Sequence, residues 1–213
     1  MKSSDYIDLL KKKEPLCPEL KKYYSKGELF EMVRHPLLFS VPHSSTMNAL
    51  LNMQLIERKN RAAKLLKEEN YEAYVFMHER PYRFEAFKEI EQSLTDTKYW
   101  KMLSEIWTDS ENTWQNLDEW KEYLKSPRKN KTAFMSKEDL AVYNSLPDMV
   151  TAYRGYNEEY DNKDGVSYSL SKAKAEWFSK RFHKAGSVKK IVIPKEKIFA
   201  YTSARGEDEL IIL

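Results

Sequence analysis

Residues 205–213 read RGEDELIIL, so three carboxylates stand side by side where a run of strand-forming residues begins. Neighbouring carboxylates repel one another, which leaves two readings for such a cluster, a solvated stretch or a working site. On an extended strand the side chains alternate, so Glu207 and Glu209 fall on one face about 6–7 Å apart. Asp208 then points the other way, into solvent, with Arg205 as its nearest partner in sequence. Two further stretches carry chemistry that such a pair could use. In TAYRG, Arg154 sits at a strand end with Gly155 behind it. A guanidinium forks onto phosphate or carboxylate oxygens, and a glycine lets a ligand come close to the backbone. Thirteen residues later, SYS sets the hydroxyls of Ser167 and Ser169 on one strand face, able to hydrogen-bond an ionised group and fix its orientation.

The elements that must hold these residues change character near position 146. Before it, apolar residues recur at helical spacing: positions 47, 50, 51, 55, 62, 65 and 66, then Phe84, Phe87, Ile90 and Leu94, then Trp100, Leu103 and Trp107. Thr108 to Glu111 has the form of a capping box opening a helix with Trp114, Leu117 and Leu124 on one face. Ser136 with Asp139 opens another. After Pro147 come short apolar runs, MVTAY, VSYSL, VKKIVIP, KIFAYT and ELIIL, interrupted by one helical stretch. That stretch starts at Ser171, carries Phe178 and Phe182, and stops at Gly186. The expected fold class is α+β, with a mainly helical part over 1–146 and a β-rich unit with one internal helix over 147–213.

Composition narrows the field without naming a function. Hydrophobic residues make up 41% of the chain, with 14 Tyr, 9 Phe and 5 Trp, so a packed core is affordable and disorder is excluded as the main state. The net charge of +3 is spread over interspersed signs, which does not argue for nucleic-acid binding. The basic loop SPRKNKT lacks interleaved aromatics and adds little to that case. Cys17 is the sole cysteine, and His35, His43, His78 and His183 lie far apart, so no metal site is expected. The opening MKSSDYIDLLKKKEP does not read as a secretory signal, and no apolar run reaches membrane-spanning length. A cytoplasmic location, in the producing cell or a host cell, is the expectation, with no membrane partner.

Arg154, the Ser167-Tyr168-Ser169 strand and the Glu207-Asp208-Glu209 stretch, in that order, resemble the Arg, Ser-x-Ser, Glu-x-Glu signature of the mono-ADP-ribosyltransferases. The branch is the one that includes clostridial binary toxins and phage-encoded enzymes. The aromatic before Arg154, the glycine after it and the LIIL after Glu209 fit the same pattern, and SLSKAKAEWFSKRF looks like the helix following the serine strand in phage-encoded members. The resemblance covers residues 150–213. It implies a β-sandwich core binding nicotinamide adenine dinucleotide (NAD) as co-substrate, without a glycine-rich dinucleotide loop. It implies that Arg154 grips the NAD phosphates, Gly155 faces the nicotinamide amide, Ser167 hydrogen-bonds the catalytic glutamate and Ser169 helps line the NAD site. Glu209 would hold the nicotinamide-ribose 2'-hydroxyl and stabilise the oxocarbenium-like charge, and Glu207 would activate the acceptor. A glutamate at 207 points to a protein arginine as acceptor, because a protonated guanidinium pairs with a carboxylate. Tyr168 departs from the usual central threonine. The helical part would complete the cleft and dock the target macromolecule. Alternatives in view are an NAD glycohydrolase, a transferase to nucleic acid, and an inactive protein that keeps the fold to bind a partner.

Overall fold

The computed structural model describes residues 10–110, 113–157, 159, 163–181 and 186–213. Residues 1–9, Glu111 of the expected capping box, Phe182 and His183 lie outside the described residues. The chain divides into two compact units, Met1–Gln92 and Ser93–Leu213. This division falls well before residue 146, so the helices that follow Ser93 share a unit with the β-rich stretch. The fold is α+β, with two antiparallel sheets. No described helix is long and apolar enough to cross a membrane.

The first unit carries helix α1 (Pro18–Lys21) and three short strands, β1 (Tyr24–Lys26), β2 (Glu31–Val33) and β3 (Val41–Pro42), paired in that order. No sheet is expected here from the sequence, because strands of two or three residues are too short to show an alternation. A turn capped by Ser44 leads into α2 (Asn48–Lys67). Leu51 and Leu55 pack there with Leu16, Leu20, Val33 and Leu38. Asn70 accepts from the Ala73 amide to open α3 (Tyr71–Phe76), and α4 (Arg83–Ile90) buries Phe84, Phe87 and Ile90 as the spacing predicts.

The second unit opens with α5 (Asp96–Asp109), whose N-terminus is capped by the Thr95 hydroxyl. It buries Tyr99, Trp100, Met102, Leu103, Ile106 and Trp107. Thr108 therefore lies inside this helix and not at the start of the next one, because burial of Ile106 and Trp107 carries the helix past the capping signal. Next come α6 (Leu117–Leu124) and α7 (Lys137–Ser145), the latter capped by Ser136. All five expected strands follow: β4 (Met149–Tyr156), β5 (Ser167–Ser169), β6 (Ser187–Pro194), β7 (Ile198–Thr202) and β8 (Glu209–Ile212). The internal helix α8 (Lys172–Ser179) is capped by Ser171 and ends seven residues before Gly186. Gly186 does not cap it. A Cβ there would lie 2.1 Å from the Ser179 carbonyl and 2.5 Å from that of Tyr156, so the glycine serves a close crossing of chain segments.

These strands form one antiparallel sheet in the order β6-β4-β5-β8-β7, where two facing sheets were expected. The reason is the three-residue β5, which pairs with both neighbours at once. Its ladder to β8 has three residue pairs, but its ladder to β4 has a single one, Tyr153 with Ser169. The sheet is thus two ribbons, β6-β4 and β5-β8-β7, joined at one bridge. Val150, Ala152, Tyr168, Ile198, Tyr201 and Leu210 make the core on one side of it, against Tyr143 and Leu146 of the α7 region. Tyr168, the residue that stands where a threonine is usual, is buried in this core.

Candidate functional site

Where β4 and β5 part beyond their single bridge, a cavity of about 250 Å³ opens. Arg154, Gly155, Ser167, Ser169, Glu207 and Glu209 all line it, together with Ser110, Thr113 and Trp114 from the helical stretch and Phe178 and Arg181 from the α8 region. Six residues chosen by type and spacing, spread over more than fifty positions, therefore meet in one place.

Glu209 starts β8 directly opposite Ser169 and is only 3% exposed. Burying a carboxylate is expensive unless donors replace its water. One comes from α5: the indole Nε1–H of Trp107 donates to Glu209 Oε2 at 3.2 Å. Trp107 is itself 1% exposed and held edge-on by Trp120, ring centroids 5.2 Å apart, so the donor has little freedom. The other is Arg205, whose Nη2 lies 3.6 Å from the same oxygen. Glu209 Oε1, by contrast, is buried and has no hydrogen-bond partner among the described residues. An unsatisfied buried carboxylate oxygen is rare enough to call for an explanation, and the residue that carries it lines the cavity.

Ser167, to which the resemblance gives the bond to this glutamate, makes none to it among the described residues. Its backbone carbonyl instead accepts from Arg154 Nη1 at 2.8 Å. Arg154 thereby ties β4 to β5 just where the backbone ladder has run out. A Cβ on Gly165 would sit 2.4 Å from Arg154 Nη2, so that glycine leaves room for the guanidinium. Ser169 acts on the loop before β8: its Oγ donates to the Glu207 carbonyl at 2.7 Å and accepts from the Ser171 amide at 3.0 Å. Gly155 lines the cavity, yet a Cβ on it would fall 1.8 Å from the Ala175 carbonyl of α8. The close approach this glycine permits within the fold is that of a helix.

Glu207 and Glu209 do not share an extended strand. β8 begins at Glu209, and the preceding turn holds Gly206 at φ +68° and Asp208 at φ +47°. That left-handed step swings Glu207 back toward the cavity. Asp208 stays partly exposed but does not stand free in solvent: Lys174 pairs with it and the Tyr201 hydroxyl donates to it at 3.0 Å. Both contacts fix the turn, and Asp139 fixes its start, with Oδ1 accepting from the Ser203 amide at 3.0 Å and the Ser203 hydroxyl at 2.7 Å. Arg205, released from Asp208, bridges the two glutamates, 3.3 Å from Glu207 Oε2. Burial pushes the Glu207 carboxyl above its usual range, with Glu209 acting in the same direction and Arg205 opposing.

Trp107 is a site residue to which sequence reasoning gave no such role, and Arg205 sits on the two glutamates where Asp208 was its expected partner. Trp107 read as one position of an apolar stripe, and nothing in its local pattern distinguishes a core indole from one aimed at a carboxylate 102 residues away. The basic loop also resolves: Arg128 donates to the Leu94 carbonyl and stacks on Tyr99, while Lys131 lies over Phe199. No known family pattern, curated protein or solved structure matches the chain.

Proposed function

We propose that the chain is a mono-ADP-ribosyltransferase of the Arg, Ser-x-Ser, Glu-x-Glu type, acting in the cytoplasm on a protein arginine with NAD as co-substrate. One observation carries the reading. A buried glutamate, Glu209, has one oxygen with no donor among the described residues, and it lines a cavity together with Arg154, Ser169, Glu207 and two further arginines. A ribose 2'-hydroxyl would satisfy that oxygen, and the charge that develops as nicotinamide departs would lie beside it.

The cavity is smaller than the roughly 300–1,000 Å³ of sites that enclose a whole ligand, so it suits the nicotinamide-ribose end, with the phosphates lying at the arginines of its rim. The parting of β4 from β5 supports an ADP-ribosyltransferase-like core, in which NAD lies between two ribbons of strand. Ser110, Thr113 and Trp114 from the helical stretch would complete that cleft. Glu207, raised by burial and in contact with a guanidinium, is suited to take a proton from an arginine acceptor. The internal contacts of Arg128 and Lys131 leave the nucleic-acid alternative with little basic surface from that loop.

The test is NAD turnover by purified protein, following nicotinamide release and label transfer separately. Glu209→Gln should lower both by about 10²–10³-fold, as removal of one preorganised stabilising group does. Glu207→Gln should lose transfer and keep nicotinamide release. Release unaffected by Glu209→Gln would end the assignment.

A further inference from the structure

Arg205 occupies an unusual position for a resident side chain. Its Nη2 touches Oε2 of Glu207 at 3.3 Å and Oε2 of Glu209 at 3.6 Å. Its Nη1 donates to the Ser110 carbonyl at 3.2 Å, and its side chain remains one third exposed (33%). It sits on a turn whose two ends are fastened, at Ser203 by Asp139 and at Asp208 by Lys174 and Tyr201. The turn that carries it therefore has little scope to move away. A guanidinium in contact with both carboxylates is what an arginine acceptor would present while one glutamate serves the donor and the other takes the acceptor's proton.

We propose that Arg205 is itself an acceptor, modified in cis: ADP-ribose from NAD is transferred to Arg205 Nη2 within the same chain. The inference rests on the reading of this cavity as an ADP-ribosyl transfer site and deepens it by naming an acceptor. In the step, the bond from ribose C1' to the nicotinamide ring nitrogen breaks, and its electron pair leaves with neutral nicotinamide. A new bond forms between Nη2 and C1'. The Nη2 proton passes to the Glu207 carboxylate and on to solvent, and the product guanidinium keeps its charge. Per chain, one NAD is consumed, and one nicotinamide and one proton are released. Once modified, Arg205 no longer bridges the two glutamates, and the bulky adduct lies across the acceptor side of the cavity.

The experiment is to incubate the full chain with NAD and follow three readouts: nicotinamide release, the intact mass of the protein, and the peptide that carries the adduct. The expected result is one ADP-ribose per chain with a rate constant independent of protein concentration, as an intramolecular step requires. Peptide mapping should find the adduct on Arg205, together with loss of trypsin cleavage after that residue. Arg205→Lys should carry no adduct at that peptide, and the mapping of the unsubstituted chain reads the same point without any variant. Nicotinamide release with no adduct on the peptide spanning 198–213 would overturn the inference while leaving NAD cleavage at this site in place. An adduct on Arg205 whose rate rises in proportion to protein concentration would overturn transfer in cis. Absence of nicotinamide release would remove both this inference and the reading beneath it.

Discussion

Trp107→Phe isolates one hydrogen bond. The substitution keeps an aromatic ring in the place where Trp107 packs edge-on against Trp120 and deletes the N–H that reaches Glu209 Oε2 at 3.2 Å. Glu209 is 3% exposed, so water does not take over, and the carboxylate is left with Arg205 at 3.6 Å. A hydrogen bond to a charged group contributes about 1.5–3 kcal/mol. If that bond holds Glu209 in its reactive orientation, its loss corresponds to about 10- to 150-fold in nicotinamide release. Stability should fall by about 2–4 kcal/mol, since the smaller ring also leaves a gap beside the lost bond. Leu103→Val serves as the packing control. It lies one turn earlier on α5, is fully buried, and loses a methylene worth about 1 kcal/mol with no polar group involved. Both variants are compared by chemical denaturation and by NAD turnover. A Trp107→Phe protein no less stable than Leu103→Val, and within about twofold of the parent rate, would refute the argument that the indole holds Glu209.

The remaining predictions concern charge and backbone. Burial raises the Glu207 carboxyl above 4.5 in the folded chain, so the stability it contributes is fully present below that value and is lost as pH rises through the folded value. Glu207→Gln should therefore gain stability relative to the parent between about pH 4 and pH 7, measured by denaturation at both ends, and a difference that stays flat or moves the other way would contradict the assignment. Two glycines should behave differently. Gly155→Ala drives a Cβ to within 1.8 Å of a helix carbonyl that cannot yield, and should destabilise the sheet unit by about 3 kcal/mol or more. Gly206→Ala meets no atom within 4 Å and should lose only about 1–2 kcal/mol through its left-handed φ of +68°. Thermal melts of the two variants measure the difference directly.

What could be read from the sequence, and what could not, follows from how local each signal is. The five strands of the second unit were legible because each is a short apolar run bounded by Gly, Pro, Asp or Lys. The stripe of α5 was legible because Trp100, Leu103 and Trp107 recur at helical spacing, and all three are buried. The candidate residues were legible by type and order, and Arg154, Ser169, Glu207 and Glu209 do line one cavity. The turn before β8 was not. An extended reading of GEDEL is natural, and the left-handed φ of Asp208 comes from contacts with Lys174 and Tyr201 that lie 34 and 7 residues away. Gly155 was noticed for close approach, but the approach of the α8 backbone to it was not foreseen, since a glycine states that something comes close and not what it is. The sheet of the first unit went unseen because its strands are two or three residues long.

The acidic cluster at 207–209 admitted two readings from sequence, and burial is what separates them. A solvated Glu-Asp-Glu would keep all its oxygens in water, each carboxylate paired at most with a nearby lysine. Asp208 comes nearest to this, its side chain 39% exposed, although Lys174 and the Tyr201 hydroxyl both hold it. Glu209 does not, because α5 lies over it and supplies a single indole donor where a buried carboxylate has room for several. That arrangement is poor for stability: replacing a buried, incompletely satisfied carboxylate with an apolar residue is often neutral or better. The fold nevertheless surrounds it with ordered support, Trp120 behind Trp107, Ser169 under the Glu207 carbonyl, Asp139 at the head of the turn. A polar group held rigidly yet left with one oxygen unsatisfied is organised for a hydrogen bond that none of the described residues makes. The helices of residues 93–146 are thus part of the site and not an appendage to it, since without α5 the glutamate that begins β8 would be one more solvated acid.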